Sequence, residues 1–224
     1  EYNLARKYFD ERFGIGNWTF TLSGRHAIAL ALSYYNLVKT DFVTILTTSG
    51  NFYISSCVTK EIEKYCSWNR EITNKTKIIF VNHEFGYPYS DMNDLLKLGL
   101  PIIEDCCTTF FSQDVLKQVG KYGQFSVYSF PKIFAIESGG LIVSNVLHSG
   151  FRADLSEEFV DMLVNVISYN LNMKNEVLQN RNYNHEYSLK LFERIGFDEY
   201  FANSDLIVPS VLMLKNNKVI KNLH

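Results

Sequence analysis

Pro101-Ile-Ile-Glu-Asp-Cys-Cys-Thr108 is an apolar run one strand long that ends on two acids. Side chains of a strand alternate between its faces, so a run that is apolar at successive positions is buried on both. That is the pattern of a parallel sheet covered by helices on each side. The same texture recurs at 18–22, 43–47, 77–82, 125–130 and 141–144, with helix-like segments between them at 24–37, 53–65 and 92–98. Strands alternating with helices predict an α/β chain with a mostly parallel central sheet. Ser23 and Asp91 stand where side-chain caps of two of those helices are expected.

At 224 residues the chain has room for one large domain and the beginning of a second. Glycine nearly vanishes and asparagine becomes frequent after about Ser149. This places a large α/β domain at 1–150 and a helical segment with a partial small α+β domain at 151–224. Within the latter, long helical patterns cover 155–169 and 175–195, and 206–215 reads as a strand with Pro209 at an edge or bulge. The net charge is −2 with lysine and arginine scattered, which gives nucleic acid no basic face to bind. The longest apolar runs, such as 27–32, fall far short of the roughly 18 residues that span a bilayer. No membrane association and a cytoplasmic, leaderless protein are therefore expected. Cys57, Cys66, Cys106 and Cys107 match neither a zinc knuckle nor a redox pair, so they read as buried thiols, and no metal site is expected.

Chemistry gathers at predicted strand ends, where open α/β sheets bind ligands. Ser23-Gly24-Arg25 closes one strand and opens a helix, offering free backbone N–H groups and a positive dipole end to a phosphate. Its bland reading is a capped strand-to-helix turn. Asp105 stands at the carboxyl end of an apolar strand, where a carboxylate is costly unless a cation or donors meet it. Asp105 or Glu104 serves equally well as the partner of a nearby loop. Gly120 to Lys132 runs through a strand into a lysine, a residue type that forms Schiff bases when its amine is unprotonated but is ordinarily a solvated charge. Gly139-Gly140 follows seven residues later and lets backbone approach closely.

Taken in this order, the phrases resemble the DegT/StrS family of pyridoxal-phosphate-dependent sugar aminotransferases. The phrases are Leu22-Ser-Gly-Arg-His-Ala-Ile, Val81-Asn-His-Glu-Phe-Gly-Tyr-Pro, the strand ending in Glu104-Asp105, the Gly-x-x-Gly run from Gly120, and the Lys132-to-Gly139-Gly140 spacing. The resemblance implies a large domain of fold type I, the aspartate-aminotransferase architecture, with pyridoxal 5'-phosphate as cofactor. It implies that Lys132 carries the cofactor and shuttles the proton, and that Asp105 partners the ring nitrogen. Ser23, Gly24, Arg25 and Ser129 would hold the phosphate, Phe52 would stack on the ring, and Thr108 stands where the family has Gln or His near the ring hydroxyl. A nucleotide-linked keto-deoxysugar would accept the amine, an amino acid such as glutamate would donate it, and the protein would be a homodimer. The family's Gly-x-Asn-x-Arg segment is absent after the double glycine, and elements of the small domain are missing at the end of the chain. Three rivals follow: a catalytically silent relative that binds or assembles, a deoxysugar dehydratase, which in this family carries histidine in place of the lysine, and an unrelated nucleotide binder.

Overall fold

The computed structural model describes residues 3–146 and 153–215. Seven strands form one sheet: β1 (Trp18–Thr21), β2 (Phe42–Thr47), β3 (Ser67–Asn69), β4 (Thr76–Asn82), β5 (Ile102–Asp105), β6 (Phe125–Ser129) and β7 (Gly140–Ser144). Their order is β1-β7-β6-β5-β4-β2-β3. Strand β7 is antiparallel to both of its neighbours, and the remaining pairings are parallel. The expected mostly parallel sheet is therefore present.

Strand alternation sorts the core into two layers. Ile78, Phe80, Ile103, Phe125 and Val127 face helices α2 (Gly24–Ser33) and α3 (Ser56–Ile62) in one cluster. Residues of the opposite parity point the other way. Phe20, Tyr128 and Leu141 meet α1 (Leu4–Phe13) and the apolar stripe Leu163, Val164, Ile167 and Leu171 of α5 (Glu157–Asn172). Ile79, Val81 and Ile102 pack on the short α4 (Met92–Leu96). Each fully buried Val, Leu, Ile or Phe contributes roughly 1.5–3 kcal/mol. The same parity turns Asp105 toward α2 and α3, and Glu104 toward the other layer. The last helix, α6 (Lys174–Glu193), is polar and buries His185.

Several sequence expectations are corrected. Helix α3 begins at Ser56, not 53, because Asn51 Oδ1 accepts the Tyr53 N–H at 2.8 Å and Ser55 caps the helix through Cys57 N–H. Helix α2 stops at Ser33. Ser23 caps it as expected, accepting from His26 N–H at 3.2 Å, but the Asp91 side chain caps nothing and only its carbonyl receives Asp94 and Leu95. Residues 206–215 form no strand beyond a single antiparallel bridge between Leu214 and Glu199. Pro209 lacks an N–H, and the segment bonds to loops instead: Gln113 N–H to Leu206 O, Val208 N–H to Ser112 Oγ, and Ser210 N–H to Phe85 O. Helix α1 and strand β3 carry too short or too polar a pattern to have been read in advance.

Candidate active site

Because β1, β2, β4, β5 and β6 run parallel, their carboxyl ends reach one edge of the sheet, and the reversed β7 begins there. The register aligns Thr21, Gly140 and Ser129 in one row, and Thr47, Asn82, Asp105 and Val127 in another. The chain segments leaving these rows enclose a cavity of about 600 Å³. Ser23, Gly24, Arg25, Asp105, Thr108, Ser129 and Lys132 all line it. Residues about a hundred apart in sequence are thus brought to one space.

Phe52 departs from this set. It is 99% exposed, and Tyr53 lines the cavity in its place. The Asn51 turn that delays α3 swings Phe52 outward.

The double glycine has a steric reason. A Cβ on Gly140 would lie 2.6 Å from Tyr128 O, 2.7 Å from Ser23 C and 2.8 Å from Gly24 N. Only a glycine lets β7 start against the Ser23-Gly24 turn. Gly24 is pressed in the same way, since a Cβ there would lie 2.8 Å from Ser129 Cβ. The amino end of α2, the end of β6 and the start of β7 therefore form one tight cradle of small residues.

The two acids of β5 separate by face into distinct jobs. Glu104 is fully buried and accepts from Gly120 N–H at 2.9 Å and Gly123 N–H at 2.8 Å, and it meets His83 Nε2 at 3.1 Å. His83 Nδ1 accepts the Tyr89 N–H at 2.9 Å, which leaves Nε2 to carry the proton that Glu104 receives. The Gly-x-x-Gly run is therefore the wrapping of a buried structural carboxylate. Cys106 joins His83 and Glu104 within 4.8 Å, a grouping of metal-ligand types that sequence spacing did not disclose. The carboxylate is already saturated by the loop and the imidazole.

Asp105 is differently placed. It is 6% exposed, and its Oδ1 accepts from Cys107 N–H at 3.0 Å. Burial pushes its carboxyl above the usual carboxylate range, opposed by the Cys107 hydrogen bonds and by the nearby Lys132 charge. No ion pair holds it among the described residues. A carboxylate so placed favours a cationic partner from the cavity. Thr108 Oγ donates to His83 O at 2.9 Å, tying the segment after β5 to the loop after β4. Lys132 ends a short 3-10 turn, Phe130–Lys132, that follows β6.

The cavity also holds groups the sequence did not single out. Arg25 donates to Cys57 Sγ at 3.0 Å. That hydrogen bond lowers the Cys57 thiol below its ordinary value, with the Arg25 and Lys132 charges assisting. The four cysteines are free, as expected, but Cys57 is exposed, contrary to its reading as a buried thiol. It falls in the first turn of α3, at the cavity mouth. Burial raises Cys66, Cys106 and Cys107 instead. Glu84 and Ser210 line the cavity as well.

Residues 65–149 match the DegT/DnrJ/EryC1/StrS aminotransferase family, so the resemblance read from the sequence holds over that stretch. GDP-perosamine synthase of Escherichia coli O157:H7 is 39% identical over 82 residues, which cover 34% of this chain and 22% of that protein. Among solved structures, the aminotransferase TlmJ from Streptoalloteichus hindustanus aligns with a TM-score of 0.74 at 16% identity, over 93% of this chain and 68% of its own. An E. coli GDP-4-keto-6-deoxy-D-mannose-3-dehydratase with bound hydrated PLP aligns at 0.67 and 17% identity, over 97% of this chain and 72% of its own. The fold is that of the fold type I aminotransferases. No helix among the described residues is long and apolar enough to cross a membrane.

Proposed function

We propose that this chain acts as a pyridoxal-phosphate-dependent aminotransferase that transfers the amine of an amino acid, glutamate in the first instance, to a keto-deoxysugar carried on a nucleotide. The observation that carries the reading is that an amine, Lys132, and a buried carboxylate held in no ion pair among the described residues, Asp105, line one cavity beside the amino end of α2. That donor set fits the cofactor. A ring carrying a protonated nitrogen supplies the cation Asp105 lacks, and the open backbone N–H groups at Gly24 and Arg25 suit a phosphate. When bound, pyridoxal phosphate supplies an electrophilic carbon and an electron-withdrawing ring.

The protein's own residues then divide the work. Lys132 Nζ would hold the cofactor and, as a free amine, would take the proton from the substrate carbon and deliver it to the carbon of the cofactor that receives the amine. Asp105 keeps the ring nitrogen protonated through its negative charge. Ser23, Gly24, Arg25 and Ser129 bind the phosphate, which requires Arg25 to turn from Cys57. Thr108 braces the His83 loop, and Tyr53 is the aromatic of the cavity lining that would cover the ring. Residues 1–150 serve as the cofactor domain, and the protein works as a cytoplasmic homodimer. The lysine after β6 speaks for transamination against dehydration.

A visible spectrum tests the reading. Protein mixed with pyridoxal phosphate develops the absorbance band of the lysine-bound cofactor, and Lys132→Ala lacks it. A colourless wild-type protein, or a variant with the same band, refutes the assignment.

A further inference from the structure

One wall of the cavity has no part in holding the cofactor. Glu84, which follows His83 on the loop after β4, is 4% exposed and lines the cavity. Its Oε2 accepts from Ser49 N–H at 2.9 Å and Ser49 Oγ at 2.5 Å. Among the described residues, no donor reaches Oε1 and no cationic side chain pairs with the group.

The backbone here is built to hold that position. Glu84 N–H donates to Thr48 Oγ at 3.1 Å, and Phe85 sits at a φ of 58°, a left-handed conformation unfavourable for a bulky residue. Phe85 O accepts the Ser210 N–H at 2.9 Å. A Cβ on Gly86 would lie 2.4 Å from Val208 O, so the two segments meet backbone to backbone. Ser210 is thereby held against the loop that carries Glu84. It lines the same cavity, and its Oγ is buried without a hydrogen-bond partner. A buried hydroxyl left unsatisfied, as Ser210 Oγ is, costs about 1–3 kcal/mol, which a ligand supplying the matching group recovers.

The ligand's chemistry follows from the charge. A carboxylate-bearing amino donor meets repulsion at Glu84, and the cations among the lining residues, Arg25 and Lys132, belong to the cofactor side. A sugar hydroxyl both donates to a carboxylate oxygen and accepts from a serine hydroxyl. We propose that Glu84 and Ser210 form a hydroxyl-recognising subsite that seats the sugar of the keto acceptor and plays no part in holding the amino donor. This rests on the aminotransferase reading.

The two half-reactions separate the possibilities. Holoenzyme is followed by absorbance with L-glutamate, and protein loaded with pyridoxamine phosphate with the GDP-, UDP- and dTDP-linked 4-keto-6-deoxyhexoses. Glu84→Gln keeps the acceptor for Ser49, and Ser210→Ala removes a hydroxyl that bonds nothing among the described residues. Each raises the half-saturating concentration of the keto sugar about tenfold or more, while that of L-glutamate moves less than about threefold. Equal changes in both halves, a larger change with L-glutamate, or a wild-type holoenzyme that takes up none of the three sugars overturns the subsite. A wild-type protein with no lysine-bound cofactor band fails the aminotransferase reading itself. Should Glu84→Gln not fold, Ser210→Ala decides alone.

Discussion

Asp105→Asn is expected to stabilise the cofactor-free protein. Asparagine keeps the shape of aspartate and an oxygen to accept the Cys107 N–H now at 3.0 Å. It removes a charge that burial disfavours and that no ion pair among the described residues compensates. A carboxylate offers about four acceptor sites, and the N–H and thiol of Cys107 leave part of its lost hydration unreplaced. A gain of about 1–3 kcal/mol follows for the variant at neutral pH. At this chain length each kcal/mol moves the melting temperature by roughly 2–4 °C, so a rise of about 2–12 °C is expected. The sign with pH is fixed by the direction of the shift. Unfolded aspartate titrates near 3.9, and the folded group titrates higher. Below the unfolded value both states are protonated and the two proteins melt alike. As pH rises through the folded value, wild type loses stability relative to the variant, and the gap is complete above it. Calorimetric melts from pH 4 to pH 8 without cofactor measure the gap. On the proposed reading pyridoxal phosphate is expected to reverse the order, because its ring cation would meet Asp105 in wild type alone. An asparagine variant that melts at or below wild type at pH 8 without cofactor refutes the reasoning.

Three further perturbations probe neighbouring parts of the site. Glu104→Ala strands the N–H groups of Gly120 and Gly123 together with His83 in the core, and it lowers stability by about 3–5 kcal/mol in denaturant titration. Gly140→Ala forces a Cβ to within 2.8 Å of three backbone atoms, so phosphate-dependent protection in thermal melts disappears even where the protein still folds. Cys57, lowered by Arg25 while the other three thiols are raised, reacts first with iodoacetamide as pH is increased. Peptide mapping locates the label, and Arg25→Gln shifts its onset to higher pH.

The strand texture and its ends were legible in the sequence because they are local properties. An apolar run such as Ile102-Ile103 between turn signals fits a strand buried on both faces, and Ser23-Gly24 before an apolar helix fits a capped turn. Which of Glu104 and Asp105 meets the cavity was not local information. That depended on which helices cover which face. The tertiary structure also decided the fate of segments whose patterns are ambiguous alone. Residues 206–215 read as a strand, yet Pro209 and the partners offered by Phe85, Ser112 and Gln113 turn them into a wall of the cavity. Phe52 and Tyr53 are equivalent as aromatics, and a single Asn51 turn chose between them. Glu84, Cys57 and Ser210 gave no signal, because a site residue outside a motif is distinguished only by what it faces. The sequence alone determined which residues end the strands; the parallel register of β1, β2, β4, β5 and β6 around a reversed β7 determined that those ends share one space.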